Sequence, residues 1–197
     1  MPKIVNHDER REEILANCFS LFAEQGYAAL TMREIAQHLD VSTGTLYHYF
    51  DGKFSLFEAM FHWIGERDVR EAALEIPNNL DIQERLALLK DFLLFRSNQL
   101  SDIIKIAIDF QRHHPDHEGQ VIIHNILQNY RNAIRNQLAV ESDHEIQVIL
   151  SFILGCLIHY TFDPNSISLD SLLSYLGLIS SAPQLTPSLI PHSTKQT

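Results

Sequence analysis

Hydrophobic positions recur at three- and four-residue intervals along almost the whole chain, and no stretch alternates apolar and polar residues between hairpin turn signals. The pattern predicts an all-α protein. Ile14, Cys18, Leu21 and Phe22 form one apolar stripe of a helix over residues 8–25. Gly26 ends it, because glycine enters the left-handed region without a Cβ clash. Thr31 followed by Glu34 is a capping-box pattern ahead of Ile35, Ala36 and Leu39, which predicts a second, short helix. Asp40 stands where the chain must turn and tolerates positive φ better than most residues. Ser42 can then cap a third helix from Thr43 to about Phe50. Two short helices joined by a tight turn make a helix-turn-helix.

Beyond it, residues 53 to about 73 continue as an amphipathic helix with Phe57, Met60, Phe61 and Ile64 on one side, suited to connect two parts of the chain. Pro77, Asn78 and Asn79 interrupt the pattern, and further helices are expected over about 81–99, 102–113, 116–138, 143–162 and 169–180. The segment from Ser181, with Pro183, Pro187 and Pro191, cannot pack as a helix and is expected to be disordered. The expected division is a helix-turn-helix domain over 1–53, a helical domain over 54–180 and a tail over 181–197.

Composition narrows the classes. A chain of 197 residues, 45% hydrophobic and 20% charged, can bury one larger core or two smaller ones that share an interface. The apolar run over 148–158 is broken by Ser151 and falls short of the roughly 20 residues of a membrane span, so no membrane partner is expected. Residues 1–13 are mostly charged and polar and do not read as a secretory leader. Only Cys18 and Cys156 are present, far apart, which fits buried thiols in a reducing cytoplasm. A net charge of −10 argues against a nucleic-acid partner on composition alone. Residues 1–53 carry five cations against eight acids, so any DNA reading rests on where Lys3, Arg10, Arg11, Arg33 and Lys53 sit.

At about 100° per residue, Leu46 and Phe50 share the inner face of the third helix. Gly44 and His48 then face outward, with Thr45 and Tyr47 beside them. Hydroxyls, an imidazole and bare glycine backbone serve a protein core poorly. They suit phosphate oxygens, base edges and thymine methyls in a major groove. Arg33 in the first turn of the second helix and Lys53 at the start of the fourth are placed to meet phosphates.

These residues carry a resemblance. Phe22, Ala23, Gly26 and Tyr27, then Thr31, Arg33, Ile35 and Ala36, then Val41, Ser42, Gly44, Thr45, Leu46, Tyr47, Tyr49, Phe50 and Lys53 recur in the order and spacing of the DNA-binding domain of the TetR family. The resemblance covers residues 14 to about 57, and the helical remainder is compatible with that family's ligand-binding and dimerisation domain. It implies a DNA-facing helix bearing Thr43, Gly44, Thr45, Tyr47, His48 and Tyr49. It also implies that Lys53 binds phosphate and that Met32 and Arg33 contribute from the second helix. Three positions depart from the family pattern: Asp40 in place of the turn glycine, Gly52 in place of a serine or asparagine cap, and Phe54 after Lys53 where an acid is common.

The resemblance further implies a homodimer on double-stranded DNA, a repressor released by an unknown small-molecule effector. Recognition helices that reach half-sites about 34 Å apart ask for two copies on physical grounds as well. Val148, Phe152, Gly155, Cys156 and His159 on one helix and Leu169, Leu172, Leu173 and Leu176 on the next are the expected dimer interface. Phe92, Phe95, Phe110, Gln111, Asn125 and Gln128 are candidates for an effector pocket, although aromatics at helical spacing are more often plain core. A rival reading takes His113, His114, Asp116 and His117 as a metal site of a sensor or hydrolase, against which Pro115 makes the run a solvated bend. No glycine-rich phosphate loop, nucleophile elbow or catalytic carboxylate pair is legible, so neither enzyme activity nor a cofactor is expected.

Overall fold

The computed structural model describes residues 7–77 and 79–180. Among them are ten helices and no strand, which makes the protein all-α. The first three helices are α1 (His7–Gln25), α2 (Met32–His38) and α3 (Thr43–Tyr49). The long α4 (Lys53–Glu75) leads into α5 (Ile82–Phe95), α6 (Ser97–His113), α7 (His117–Leu138) and α8 (Asp143–Phe162), with short α9 (Leu169–Leu173) and α10 (Leu176–Ser180) at the end. The expected tail from Ser181 lies outside the described residues, as does Lys3.

Local chemistry sets the ends of the early helices. Gly26 takes a φ of +80° and its N–H closes on Phe22 O, ending α1. The Thr31 backbone N–H donates to Glu34 Oε2 at 2.8 Å, while the Glu34 N–H returns to Thr31 Oγ1 at 3.3 Å. The Thr31 hydroxyl, which also donates to Oε2 at 2.7 Å, and then the Thr31 N–H hold the Glu34 carboxyl below its ordinary pKa. Asp40 adopts a φ of +51° in the turn, and Ser42 Oγ accepts the Thr45 N–H at 2.9 Å. Gly52 has no side chain to cap α4. Ser55 supplies the hydroxyl instead, accepting the Gly52 N–H at 3.1 Å.

Two expected boundaries move. The helices expected over 81–99 and 102–113 meet at Arg96, which has φ −93° and ψ 4° and ends α5 while opening α6. The Arg96 guanidinium there turns to Glu71 on α4 and Gln99 on α6. The last helix is split at Ser174 and Tyr175. Ser174 Oγ donates to Asp170 O at 2.7 Å, a side-chain bond that competes with the helical ladder.

α4 packs against α1 on one side and α7 on the other, so one helix belongs to both ends of the fold. A continuous cluster of buried side chains runs from Ile14 to Leu176. Where α1, α4 and α6 meet, the rings of Phe57 and Phe110 stack at 4.1 Å, and Tyr27 sets its ring edge-on to both. Phe54 fills the rim of this cluster, 5.8 Å from Phe110 and 5.2 Å from the His114 ring. A polar tie crosses the same junction: Asp109 Oδ2 accepts the Tyr27 N–H at 2.8 Å and the Ala28 N–H at 3.3 Å. His114 Nε2 lies 3.0 Å from Tyr27 Oη. Among the described residues α8 alone is long and apolar enough to cross a membrane, by length and composition. Its inner side, with Ile146, Ile149, Leu150, Ile153, Cys156 and Leu157, is buried in the protein.

Candidate nucleic-acid interface and internal cavity

α3 is anchored by Leu46, fully buried, and by Phe50 just beyond its end. The opposite face carries exposed Gly44, Tyr47 and His48, and Tyr47 makes no polar contact among the described residues. Thr43, Thr45 and Tyr49 are half-buried beside them. The Thr45 hydroxyl is shared with Ser42 at 2.8 Å. His48 Nε2 stands 3.3 Å from His7 Nε2 on α1, so one ring donates and the other accepts, and the Tyr49 ring rests 4.5 Å from His7. Arg33 is exposed and makes no ion pair or hydrogen bond among the described residues.

Two expected contacts sit differently. Met32 is buried in the core, so its side chain packs inward and only its backbone amide remains at the start of α2. The Lys53 ammonium donates to Tyr27 O at 2.9 Å and Leu30 O at 2.8 Å, 4.2 Å over the Tyr27 ring. It braces the turn between α1 and α2. Burial lowers its pKa, against the pull of Asp109 and Glu34. Arg10 pairs with Glu13, and Arg11 lies 5.3 Å over the Phe50 ring.

Behind this unit, a cavity of about 90 Å³ opens between α4, α5, α6, α7 and α8. Leu89, Leu93, Leu100, Ile134, Ile153 and Leu157 give it an apolar wall. Asp68 of α4 lies in that wall, only 3% exposed. Gln99 Nε2 donates to its Oδ1 at 2.9 Å, Arg67 donates to the same oxygen at 3.3 Å, and Tyr130 Oη donates to Oδ2 at 3.2 Å. Burial pushes the Asp68 carboxyl above the usual carboxylate range, more than Arg67 and these hydrogen bonds lower it. The Tyr130 phenol is pushed well up by burial and by Asp68. Gln137, two turns along α7 from Tyr130, also lines the cavity, and its Oε1 has no protein donor among the described residues.

Of the six candidate pocket residues, the structure brings only Phe92 to this cavity. Phe95 is 80% exposed at the end of α5. Phe110 is buried elsewhere, in the aromatic cluster under Tyr27, and Gln111 follows it on α6. Asn125 is exposed, and Gln128 turns outward to His124 at 3.2 Å. Ring and amide content marked helices, whereas the wall is made by plain leucines and isoleucines. Asp68 was the legible signal, an acid at the helical spacing of Phe57, Phe61, Ile64 and Ala72.

The side chains of the histidine run turn to separate partners. His113 Nδ1 donates to Asp109 O at 2.8 Å, His114 meets Tyr27, and Asp116 caps α7 by accepting the Gly119 N–H at 2.9 Å. Among the described residues no group of three or more His, Cys, Asp or Glu is arranged to hold a metal. Cys18 is buried, and that burial pushes its thiol up to about 12.

The expected interface residues divide by orientation. Val148, Gly155 and His159 face outward on α8, joined by Ile158 and by Phe162 at 75% exposure. Phe152 and Leu172 are half-buried. Cys156, Leu169, Leu173 and Leu176 are buried within the chain itself, where α9 and α10 pack on α5 and α8.

A buried three-helix unit that presents the polar face of its third helix is a helix-turn-helix unit. Residues 14–60 match the family of bacterial regulatory proteins, tetR family, so this unit is similar to the DNA-binding unit of TetR-family transcriptional regulators. It is 46% identical over 52 residues to the HTH-type transcriptional regulator HbdR of Aromatoleum sp. (strain CIB), 26% of this chain and 22% of that protein. With the HTH-type transcriptional repressor KstR2 of Rhodococcus jostii (strain RHA1) it shares 45% identity over 49 residues, 25% and 24% of the two chains. The chain thus matches less than a quarter of the length of either relative. The fold extends further. A crystal structure of the transcriptional regulator FadR from Bacillus subtilis, in complex with stearoyl-CoA, superimposes with a TM-score of 0.68 at 19% identity, covering 86% of this chain and 97% of that one.

Proposed function

We propose that the protein is a transcription regulator that binds a (pseudo)palindromic operator as a homodimer, acts as a repressor, and releases DNA when a small effector enters the body of the molecule. The observation that carries this reading is the outward face of α3, where Gly44, Tyr47 and His48 stand exposed over a buried Leu46. Thr43, Thr45 and Tyr49 flank the base-reading surface, and Arg33 holds phosphate from α2. Residues 1–53 form the reading head and residues 54–180 the body. The outward stripe of α8, Val148, Gly155, Ile158, His159 and Phe162, meets its counterpart on a second copy across a two-fold axis. Acting on DNA, the dimer works in the cytoplasm.

The apolar cavity is the effector site. Its wall includes α4, the helix that also carries α1, so occupancy changes the angle of α4 and with it the separation of the two heads. The test is selection of genomic fragments by the purified protein, followed by footprinting and a measurement of its mass in solution. The reading expects a protected site of two half-sites one helical turn apart and a dimeric protein. A monomeric protein, or one that retains no duplex in dilute buffer, ends it.

A further inference from the structure

We infer that the cavity beside α4 takes a compact, predominantly apolar ligand of about one ring in size that carries a hydrogen-bond-donating head, an amine or a hydroxyl, with Asp68 and Gln137 as the groups that receive it. This deepens the effector reading and rests on it. Size comes first. An apolar cavity of roughly 150 Å³ takes up benzene, so a space of about 90 Å³ fits one ring after slight side-chain movement. The leucine and isoleucine wall favours a hydrocarbon body.

The head follows from the polar atoms. Gln137 Oε1 is a buried acceptor without a protein donor among the described residues. Among the described residues Asp68 Oδ2 receives only Tyr130, at 3.2 Å, whereas Oδ1 is already taken by Gln99 and Arg67. Both residues line the cavity; among the described residues Gln137 Oε1 lacks a donor, and Asp68 Oδ2 has room to accept a second one. Among the described residues of the wall, Asp68 is the one charged side chain and no Lys, Arg or His is present. Arg67 lies outside the wall and is shared between Asp68 and Glu71, and Arg96 is drawn to Glu71. A ligand carboxylate would therefore face an acid whose neighbouring cation is already paired. Regulation follows from the same contacts: Asp68 ties α4 to α6 through Gln99 and to α7 through Tyr130. A ligand donor competes with Tyr130 for Oδ2 and loosens α4 from α7.

The experiment compares four probes of one size on the purified full-length protein, benzylamine, benzyl alcohol, toluene and benzoate, by titration calorimetry and thermal midpoint. Benzylamine and benzyl alcohol should bind about tenfold tighter than toluene, and benzoate weakest. Tyr130→Phe should raise the donor preference threefold or more by freeing Oδ2. Asp68→Asn and Gln137→Leu should each lower it, with toluene binding retained as the check on folding. Toluene binding as tightly as benzylamine, benzoate binding best, a preference untouched by Tyr130→Phe and Gln137→Leu, or no binding of any probe would overturn the assignment. Operator binding is read separately. Donor-headed probes that bind with the expected order but leave DNA bound would remove the effector reading and keep the ligand class. A carboxylate that occupies the cavity and releases DNA would do the reverse.

Discussion

Asp68 shows what one misplaced charge does to a stripe of apolar positions. Its carboxyl titrates above the ordinary range in the folded protein because burial disfavours the anion. The unfolded chain therefore loses that proton first, at a pH of about 4, and stability falls as pH rises from there through the folded value. Asp68→Asn should flatten this slope and raise the urea midpoint at neutral pH relative to wild type, measured by urea unfolding at several pH values. Ala139 gives a second, independent case. It closes α7 at φ +52°, where a Cβ crowds the backbone at a cost of roughly 1 kcal/mol. Ala139→Gly should gain about that much in urea unfolding, and no gain would mean that the glycine's extra freedom in the unfolded chain offsets the relief. The left-handed turn at Asp40 was legible because a helix-turn-helix needs one there. Ala139 was not, since alanine carries no turn signal.

Helix ends repeat this division between what the letters state and what packing decides. Thr31 with Glu34, Ser42 and Gly26 announce α2, α3 and the end of α1 through their own hydrogen-bonding chemistry, and each does in the structure what its chemistry requires. The break at Arg96 has no glycine or proline to mark it and follows from contacts with Glu71 and Gln99, which join residues distant in sequence or across the bend. Ser42→Ala should cost about 1 kcal/mol by leaving the Thr45 N–H uncapped, and it should weaken duplex binding because α3 frays at its reading end. The two faces of the reading unit should also separate by experiment. Arg33→Ala should weaken binding evenly across sequences and lower the salt dependence by roughly one unit of slope, while Tyr47→Ala should change sequence preference. Equal effects of both on every sequence would remove Tyr47 from the base-reading set. Lys53 stood in the phosphate set on resemblance, yet its bonds to Tyr27 and Leu30 are formed within the fold.

Across the molecule, the all-α architecture and the short head were readable because both come from local periodicity, whereas the cavity and the inward packing of α9 and α10 depend on which helices meet. No spacing rule distinguishes a leucine that faces a second copy from one that faces its own α5. Outward Val148 and Phe162 and inward Leu173 differ only in their neighbours. Asp109 belongs to the same class, an acid on α6 that closes on backbone amides of Tyr27 and Ala28 some eighty residues earlier. Asp109→Ala should leave the helical content intact, lower thermal stability by an amount typical of a lost charged hydrogen bond, roughly 1.5–3 kcal/mol, and uncouple effector binding from operator release in a titration that follows both. Retained coupling would place transmission in α4 alone. With α4 growing out of the reading unit at one point and Asp109, His114 and Phe110 of α6 gripping it at Tyr27 and Ala28, the unit is a plate held at two places, a geometry that favours tilting about the line between them over sliding.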